Sequence, residues 1–139
     1  SIMDRYCGFL KAMMSHKKEI KPQWLIEDRD ELGQMGFELP KKLPKGFVCN
    51  CDLAAYMLID KLTERGYKVP EDISVVGFDN YLYPELADRE ITTYEVNIKA
   101  MTKVALEKVL KQIKNPKRGH GMDIVSGRMV IKKSVKLKK

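Results

Sequence analysis

The sequence lacks any apolar run long enough to cross a bilayer, so we expect no transmembrane segment and no contact with a membrane. It also lacks the continuous apolar stretch of a signal peptide, because residues 1–12 read as an amphipathic helix that contains Asp4 and Arg5. Its 139 residues and its 44% hydrophobic share fit one compact domain with a sizeable core. We therefore expect a cytoplasmic protein.

Cysteine is scarce, and the three cysteines do not make a metal site. Cys49 and Cys51 stand two apart on a predicted strand, so their side chains share a face, while Cys7 is distant in sequence. A closed zinc site needs four ligands, and no third or fourth ligand is nearby. We interpret the cysteines as reduced thiols in or near the core and expect no metal and no cofactor.

Arrangements typical of catalysis are missing as well. The histidines, His16 and His120, lie far apart in lysine-rich segments without an orienting acid. There is no Gly-rich phosphate loop of the Walker or Rossmann type and no Gly-x-Ser-x-Gly elbow. We predict that the protein is not an enzyme. A small α/β enzyme is the competing hypothesis, which a His or Cys beside a carboxylate in a pocket would favour.

Basic residues outnumber acidic ones, which gives a net charge of +7. Much of this charge lies in helix-surface lysines and in a lysine-rich tail without interleaved aromatic residues for base stacking. We interpret the tail as solvated charge and expect no direct binding of nucleic acid by this chain. The tail lysines are Lys132, Lys133, Lys136, Lys138 and Lys139.

Helical and strand patterns alternate along the chain, which is typical of an α/β fold with a parallel sheet flanked by helices. Asp52 and Asn97 are predicted helix N-caps, and Gly66 is a predicted left-handed helix stop. The predicted helices are residues 1–13, 31–37, 53–65 and 98–113. The predicted strands are residues 23–27, 47–51, 73–77, 91–96, 122–126 and 128–135.

One motif carries a family resemblance. Residues 69–80 read Val-Pro-Glu-Asp-Ile-Ser-Val-Val-Gly-Phe-Asp-Asn and resemble the signature of the LacI/GalR effector domain, in which a helix leads into a core strand. Four further segments, in the same order as in the family, resemble its Arg-x-x-Gly-Phe helix start, its strand ending in Asn-Asp, its Leu-Thr-Thr crossover and its Leu-Val-x-Arg-Glu-Ser closing strand. They are residues 5–9, 47–52, 91–93 and 128–134.

The resemblance implies the C-terminal part of a bilobed, periplasmic-binding-protein-like effector domain. Residues 1–91 and 128–139 would form the C-terminal lobe, and residues 92–127 would be a crossing helix and strand of the other lobe. The rest of that lobe and the N-terminal helix-turn-helix would lie outside this sequence. The implied function is a homodimeric regulator that binds a small effector, such as a carbohydrate, and reaches operator DNA only through the missing domain. The alternative is a sugar-binding protein of a transport system.

The effector site is expected at the carboxyl ends of the strands, where open α/β sheets bind ligands. The resemblance assigns effector contacts to Arg5, Cys51 and Asp79, and Asn80 follows at the same strand end. A carboxylate can accept hydrogen bonds from two neighbouring sugar hydroxyls, and a guanidinium can donate two parallel bonds. We therefore expect Asp79→Ala to weaken effector binding while the fold stays stable. Weaker candidates are Asn50, Asp52 and Tyr81.

Three further side chains have less defined roles in the sequence. Cys51 departs from the family, which often has Asn there, and a thiol is a poor donor and acceptor, so a standard hexose is in doubt. Trp24 is predicted in the core because it lies in the middle of a predicted strand. Tyr83 is a rim candidate alongside Tyr81, with a surface role as the alternative for both.

Overall fold

The structure, a computed structural model, describes residues 2–81, 88–117, 119 and 121–136. Within them, three helices accompany one four-stranded sheet, whose strands lie in the order β1-β2-β3-β4. The first three strands are parallel, and β4 is antiparallel to β3. The strands are β1 (Gly46–Val48), β2 (Ser74–Asp79), β3 (Thr92–Glu95) and β4 (Arg128–Val130). The helices are α1 (Ile2–Ser15), α2 (Asp52–Glu64) and α3 (Ile98–Lys114).

The core lies between α2 and the sheet. Helix α2 buries one face against β2, because its apolar residues recur at helical spacing, while β2 is apolar on the side that it turns towards the helix. Gly66 ends the helical segment with a φ of 82°, and its amide returns to the Thr63 carbonyl, as the sequence predicts. The buried cluster comprises Leu39, Ala55, Leu58, Ile59, Leu62, Ile73, Val75 and Ile91.

Two predicted elements before β1 are wrong. Residues 23–27 do not form a strand, since Pro22–Trp24 is a short 3-10 turn and the following residues join no ladder. Residues 31–37 do not form a helix. The Asp30 carboxylate accepts the amides of Leu32 and Gln34, at 2.9 and 2.8 Å, and an isolated bridge joins Arg29 to Met35. This side-chain turn replaces the backbone hydrogen bonds of a helix.

The two predicted strands at the end of the chain are also changed. Residues 122–126 have no strand partner within the described part of the chain, and the last strand stops at Val130. Beyond it, the chain passes the amino ends of β3 and β2. There the Ser134 hydroxyl donates to the Val75 carbonyl at 2.6 Å, and the Thr92 amide donates to that hydroxyl at 2.8 Å. The Val75 amide also donates to the Ser134 carbonyl at 2.8 Å, so backbone and side-chain hydrogen bonds together hold the end of the predicted closing strand.

Some expectations fall outside the described residues, namely those for Tyr83, His120, Lys138 and Lys139. None of the helices in the described ranges is long and apolar enough to span a membrane.

Candidate functional site

The carboxyl ends of the three parallel strands bring polar side chains to one edge of the sheet. Residues 49–51 follow β1, Asp79 ends β2 and Glu95 ends β3. Helix α2 begins at the same edge, and Arg128, the first residue of antiparallel β4, pairs with Glu95 there. The edge therefore combines charged groups with the N-terminus of a helix.

Arg5 reaches this edge from α1. Its guanidinium carbon lies 3.9 Å from the centre of the Phe78 ring, and its Nη1 donates to the Asn50 carbonyl. Phe78 stacks in turn on Tyr94, with 5.3 Å between ring centres. A planar guanidinium suits an aromatic face, so α1 is fixed to β2 and β3 at the ligand edge.

Asp79 opens a strained loop that continues through Asn80 to Tyr81. Both Asp79 and Asn80 have positive φ values, 96° and 55°. Asp and Asn tolerate this region better than most residues. The Asp79 carboxylate accepts from the Tyr81 amide at 3.0 Å and from the Asp52 amide in the first turn of α2. Burial raises the pKa of the Asp79 carboxyl, although these two amides and Arg5 oppose the rise.

Cys51, and not Asp52, is the N-cap of α2. The Cys51 sulfur accepts from the Ala54 amide at 3.5 Å, so the predicted cap is displaced by one residue. Asp52 is the first helical residue and is 2% exposed. Its Oδ1 has no hydrogen-bond partner, and Thr93 bonds the carboxylate. Burial raises the pKa of Asp52, and the nearby Asp79 charge adds to this effect. Asp52 is thus shielded from a ligand.

Asn80 uses both ends of its side-chain amide within the protein. Its Nδ2 donates to Glu95 Oε1 at 2.9 Å, and its Oδ1 accepts from Lys132 Nζ at 2.8 Å. Glu95 Oε2 also accepts from Arg128 Nε at 2.5 Å. Asn80 therefore belongs to a polar chain that runs from the loop to β3 and β4.

The remaining predicted groups have mixed positions. Asn50 donates its side-chain amide to Asp28 at 2.5 Å, and Tyr81 is 59% exposed at the rim. Cys49 packs against the core, and burial raises the pKa of its thiol to about 12, which keeps it protonated. Trp24 lies in the 3-10 turn and not in a strand, and it is half-buried with Lys21 over its ring.

Comparisons with known proteins show which family the chain belongs to. The family model described as a periplasmic binding protein-like domain matches residues 2–135. The chain belongs to this family, in the branch of the LacI-type regulators. The HTH-type transcriptional repressor PurR of Histophilus somni is 33% identical over 138 residues, which cover 95% of the chain and 41% of the repressor. The chain thus spans less than half the length of this curated relative.

Solved LacI-type regulators share the fold. One from Bifidobacterium animalis is 26% identical, with a TM-score of 0.61 over 68% of this chain and 34% of that protein. Another, from Enterococcus faecalis with bound ribose, is 24% identical, with a TM-score of 0.62 over 71% of this chain and 37% of that protein. The α/β fold expected from the LacI-type motifs is therefore confirmed.

The structure brings Arg5, Asn50, Cys51, Asp79 and Asn80 to one edge of the sheet. Sequence reasoning missed the partners of these residues. Two features of the sequence could have indicated some of these partners. Phe78 is the aromatic residue directly before the strand-end Asp79, and Tyr94 and Glu95 directly follow the segment that resembles Leu-Thr-Thr. The partners missed are Asp28, Phe78, Thr93, Tyr94, Glu95, Arg128 and Lys132.

Proposed function

We propose that this chain is the effector-sensing part of a cytoplasmic transcriptional regulator that binds a small polar molecule of the carbohydrate class. The observation that carries the proposal is the stacking of Arg5 on Phe78, next to Asp79 at the end of β2, which brings a cation and a carboxylate to the edge where α/β sheets bind ligands. The effector would favour one arrangement of two lobes and so alter the affinity of a helix-turn-helix that lies outside this sequence.

The lobe division follows from the same reasoning. We assign residues 1–91 and 128–139 to the C-terminal lobe and residues 92–127 to the crossing segment. Strand β3, at the start of that segment, pairs with β2 and β4, so residues 92–95 of the crossing segment still belong to the sheet. Helix α3 and residues 121–125 are the part that would pack in the other lobe.

Direct ligand contacts are assigned to Arg5, Cys51 and Asp79, with Tyr81 and Asn50 at the rim. Cys51 offers a weak donor at the place where the family often has an amide, so the effector needs fewer hydrogen bonds there than a standard hexose makes. No catalytic role is assigned to any residue of this edge. A transport protein is not favoured, because the curated relatives are named transcriptional repressors.

Titration of the chain with ribose and with lactose tests the proposal. We expect amide NMR shifts at residues 50–52 and 79–81 on binding of at least one sugar. Arg5→Gln should weaken that binding about tenfold or more, because a charged donor is lost. The control Lys11→Gln removes an exposed cation from the same helix and should leave the affinity unchanged. Equal affinities for the two variants would contradict the assigned site.

A second arm concerns the regulator itself. The open reading frame that contains this sequence should encode a helix-turn-helix upstream, whereas a secretory signal would support the transport alternative. Any binding of duplex DNA by the chain itself should be weak and without sequence preference. That binding should collapse as the salt concentration rises. Sequence-specific retention of DNA by the chain would contradict the assignment of DNA binding to another domain.

A further inference from the structure

Glu95 occupies the point at which the chain leaves the sheet. It is the last residue of β3, and its register partner in β4 is Arg128, the first residue after the chain returns. The segment that leaves the sheet and the segment that returns to it are in close contact here, since a Cβ on Gly127 would lie 2.2 Å from the Glu95 carbonyl oxygen. The Gly127 amide also donates to the Tyr94 hydroxyl at 2.8 Å. Glu95 thus lies where the outgoing and returning segments touch.

The carboxylate of Glu95 connects this crossing point to loop 79–81. One oxygen accepts from Asn80 and the other from Arg128. Lys132 holds the opposite end of the Asn80 amide, so the orientation of that side chain is fixed from two sides. The backbone amide of Asn80 donates to Thr93 on β3 at 3.3 Å, which adds a third link. Movement of the loop and of the crossing segments is therefore mechanically linked through Glu95.

We propose that Glu95 is a positioning residue that holds loop 79–81 against the two crossing segments and so connects the ligand edge to the lobe boundary. This inference rests on the proposed function, because it treats loop 79–81 as part of the effector site. Asn80 is then a structural member of the bridge Asn80–Glu95–Arg128, and it does not contact the effector directly.

The charges around Glu95 support this role at neutral pH. Hydrogen bonds from Arg128 and then from Asn80 lower the pKa of the Glu95 carboxyl below its ordinary value of 4.5, and the charge of Lys132 acts in the same direction. The carboxylate form, which accepts both bonds, therefore persists as the pH falls, and the bridge opens only when the pH passes through the lowered pKa.

Hydrogen exchange of the chain, followed by NMR without ligand, tests the bridge. Glu95→Ala should speed exchange at the Tyr81 amide about threefold or more, since an exposed charged contact is lost, while the core amide of Leu62 should not change. Glu95→Gln keeps an acceptor for Asn80 but loses the ion pair with Arg128. It should speed hydrogen exchange at the Gly127 amide and leave the exchange rate at the Tyr81 amide close to that of the parent chain.

The matched control is Glu90→Gln. Glu90 forms an ion pair of the same 2.5 Å length with Lys133 just before β3, at the opposite end of that strand from loop 79–81. This variant should leave the exchange rates of the Tyr81 and Gly127 amides unchanged. If Glu95→Ala altered Tyr81 exchange no more than Glu90→Gln does, Glu95 would not be a positioning residue.

A pH profile separates positioning from simple packing. The shift of the Asn80 side-chain amide should change in the parent chain as the pH falls through the lowered pKa of Glu95, and this step should vanish in Glu95→Gln. Persistence of the step in Glu95→Gln would overturn the inference. These measurements use no sugar, so their failure is distinct from a failure of the ribose and lactose titrations, which test the proposed function.

Discussion

At the scale of single residues, Asp79 has a structural task as well as a proposed ligand contact. Its carboxylate accepts amides from Tyr81 and from Asp52, and so it supports both the strained loop and the first turn of α2. A residue at the N-terminus of a helix is stabilising when it is negative, because it meets the positive end of the helix dipole. These contacts lead us to expect a cost in stability for Asp79→Ala, in place of the unchanged stability expected from the sequence.

Asp79→Ala should lower the free energy of unfolding by about 1–2 kcal/mol, because two amides lose a charged acceptor at a half-buried position. Asp79→Asn retains an acceptor oxygen and should lose less. Urea denaturation of the two variants measures the difference. A fully stable alanine variant would show that water replaces the carboxylate at both amides.

Asp52 gives the chain a pH dependence with a defined sign. Its pKa is raised in the folded state, so the folded form binds the proton more readily than the unfolded form. Its contribution to stability is therefore smallest at neutral pH and grows as the pH falls through the raised pKa. Compared with Asp52→Asn, the parent chain should gain stability between about pH 7 and about pH 4, near the ordinary Asp pKa. Urea denaturation of both proteins at the two pH values measures this gain. A difference in stability that does not change with pH would contradict the burial of the Asp52 charge.

The sequence was informative about residues whose position follows from a strand end. Arg5 and Asp79 were predicted at one edge, and the structure brings them near each other. The pairing of Asn80 with Glu95, and of Glu95 with Arg128, depends on the register of β3 against β2 and β4. Register between distant strands cannot be derived from a single sequence, so these partners could not be predicted.

At the scale of elements, prediction succeeded where a long periodic segment had clear ends. Helix α2 has both apolar spacing and a left-handed Gly66, and its predicted bounds differ by one residue from those observed. It failed for residues 31–37, where a short weak pattern competed with the Asp30 turn. It also failed for residues 122–126, because a strand needs a neighbour and the described chain offers none there.

The contact between α2 and β2 depends on the absence of a side chain at Gly77. A Cβ at this position would lie 2.0 Å from Asp52 Oδ1 and 3.2 Å from Ile91 Cγ2, and both neighbours are buried. Gly77→Ala should therefore cost about 1–3 kcal/mol of stability through overpacking. The control is Gly8→Ala in α1, where an added Cβ would meet no atom within 4 Å beyond its chain neighbours and the helix's own backbone. It should be neutral or stabilise by up to about 1 kcal/mol, since Ala is the better helix former.

Thermal unfolding of these two glycine variants is the measurement. A pair of equally stable proteins would mean that α2 can shift away from β2 without loss, which would contradict the close approach at Gly77.

At the scale of the whole molecule, α3 stands apart from the core. No residue of α3 is buried, whereas α2 buries six. The apolar side chains of α3 recur at helical spacing and form one exposed stripe. They are Ile98, Met101, Ala105, Leu106, Val109, Leu110 and Ile113. A contiguous apolar surface of this kind marks an interaction site.

This surface predicts that the chain self-associates as a homodimer. Two routes are open, the docking of α3 on another copy and the contact face that dimeric members of the family use. Exchange of the crossing segment between copies is a variant of the first route.

Val109→Gln combined with Ile113→Gln should shift the chain towards monomer if α3 is the interface, because two apolar side chains leave the stripe. Glu107→Gln combined with Lys111→Gln, on the opposite face of the helix, is the control and should leave association unchanged. Sedimentation at micromolar concentration measures both pairs. An α3 variant that stays dimeric assigns the interface to the other face, whereas a monomeric parent chain would contradict both routes.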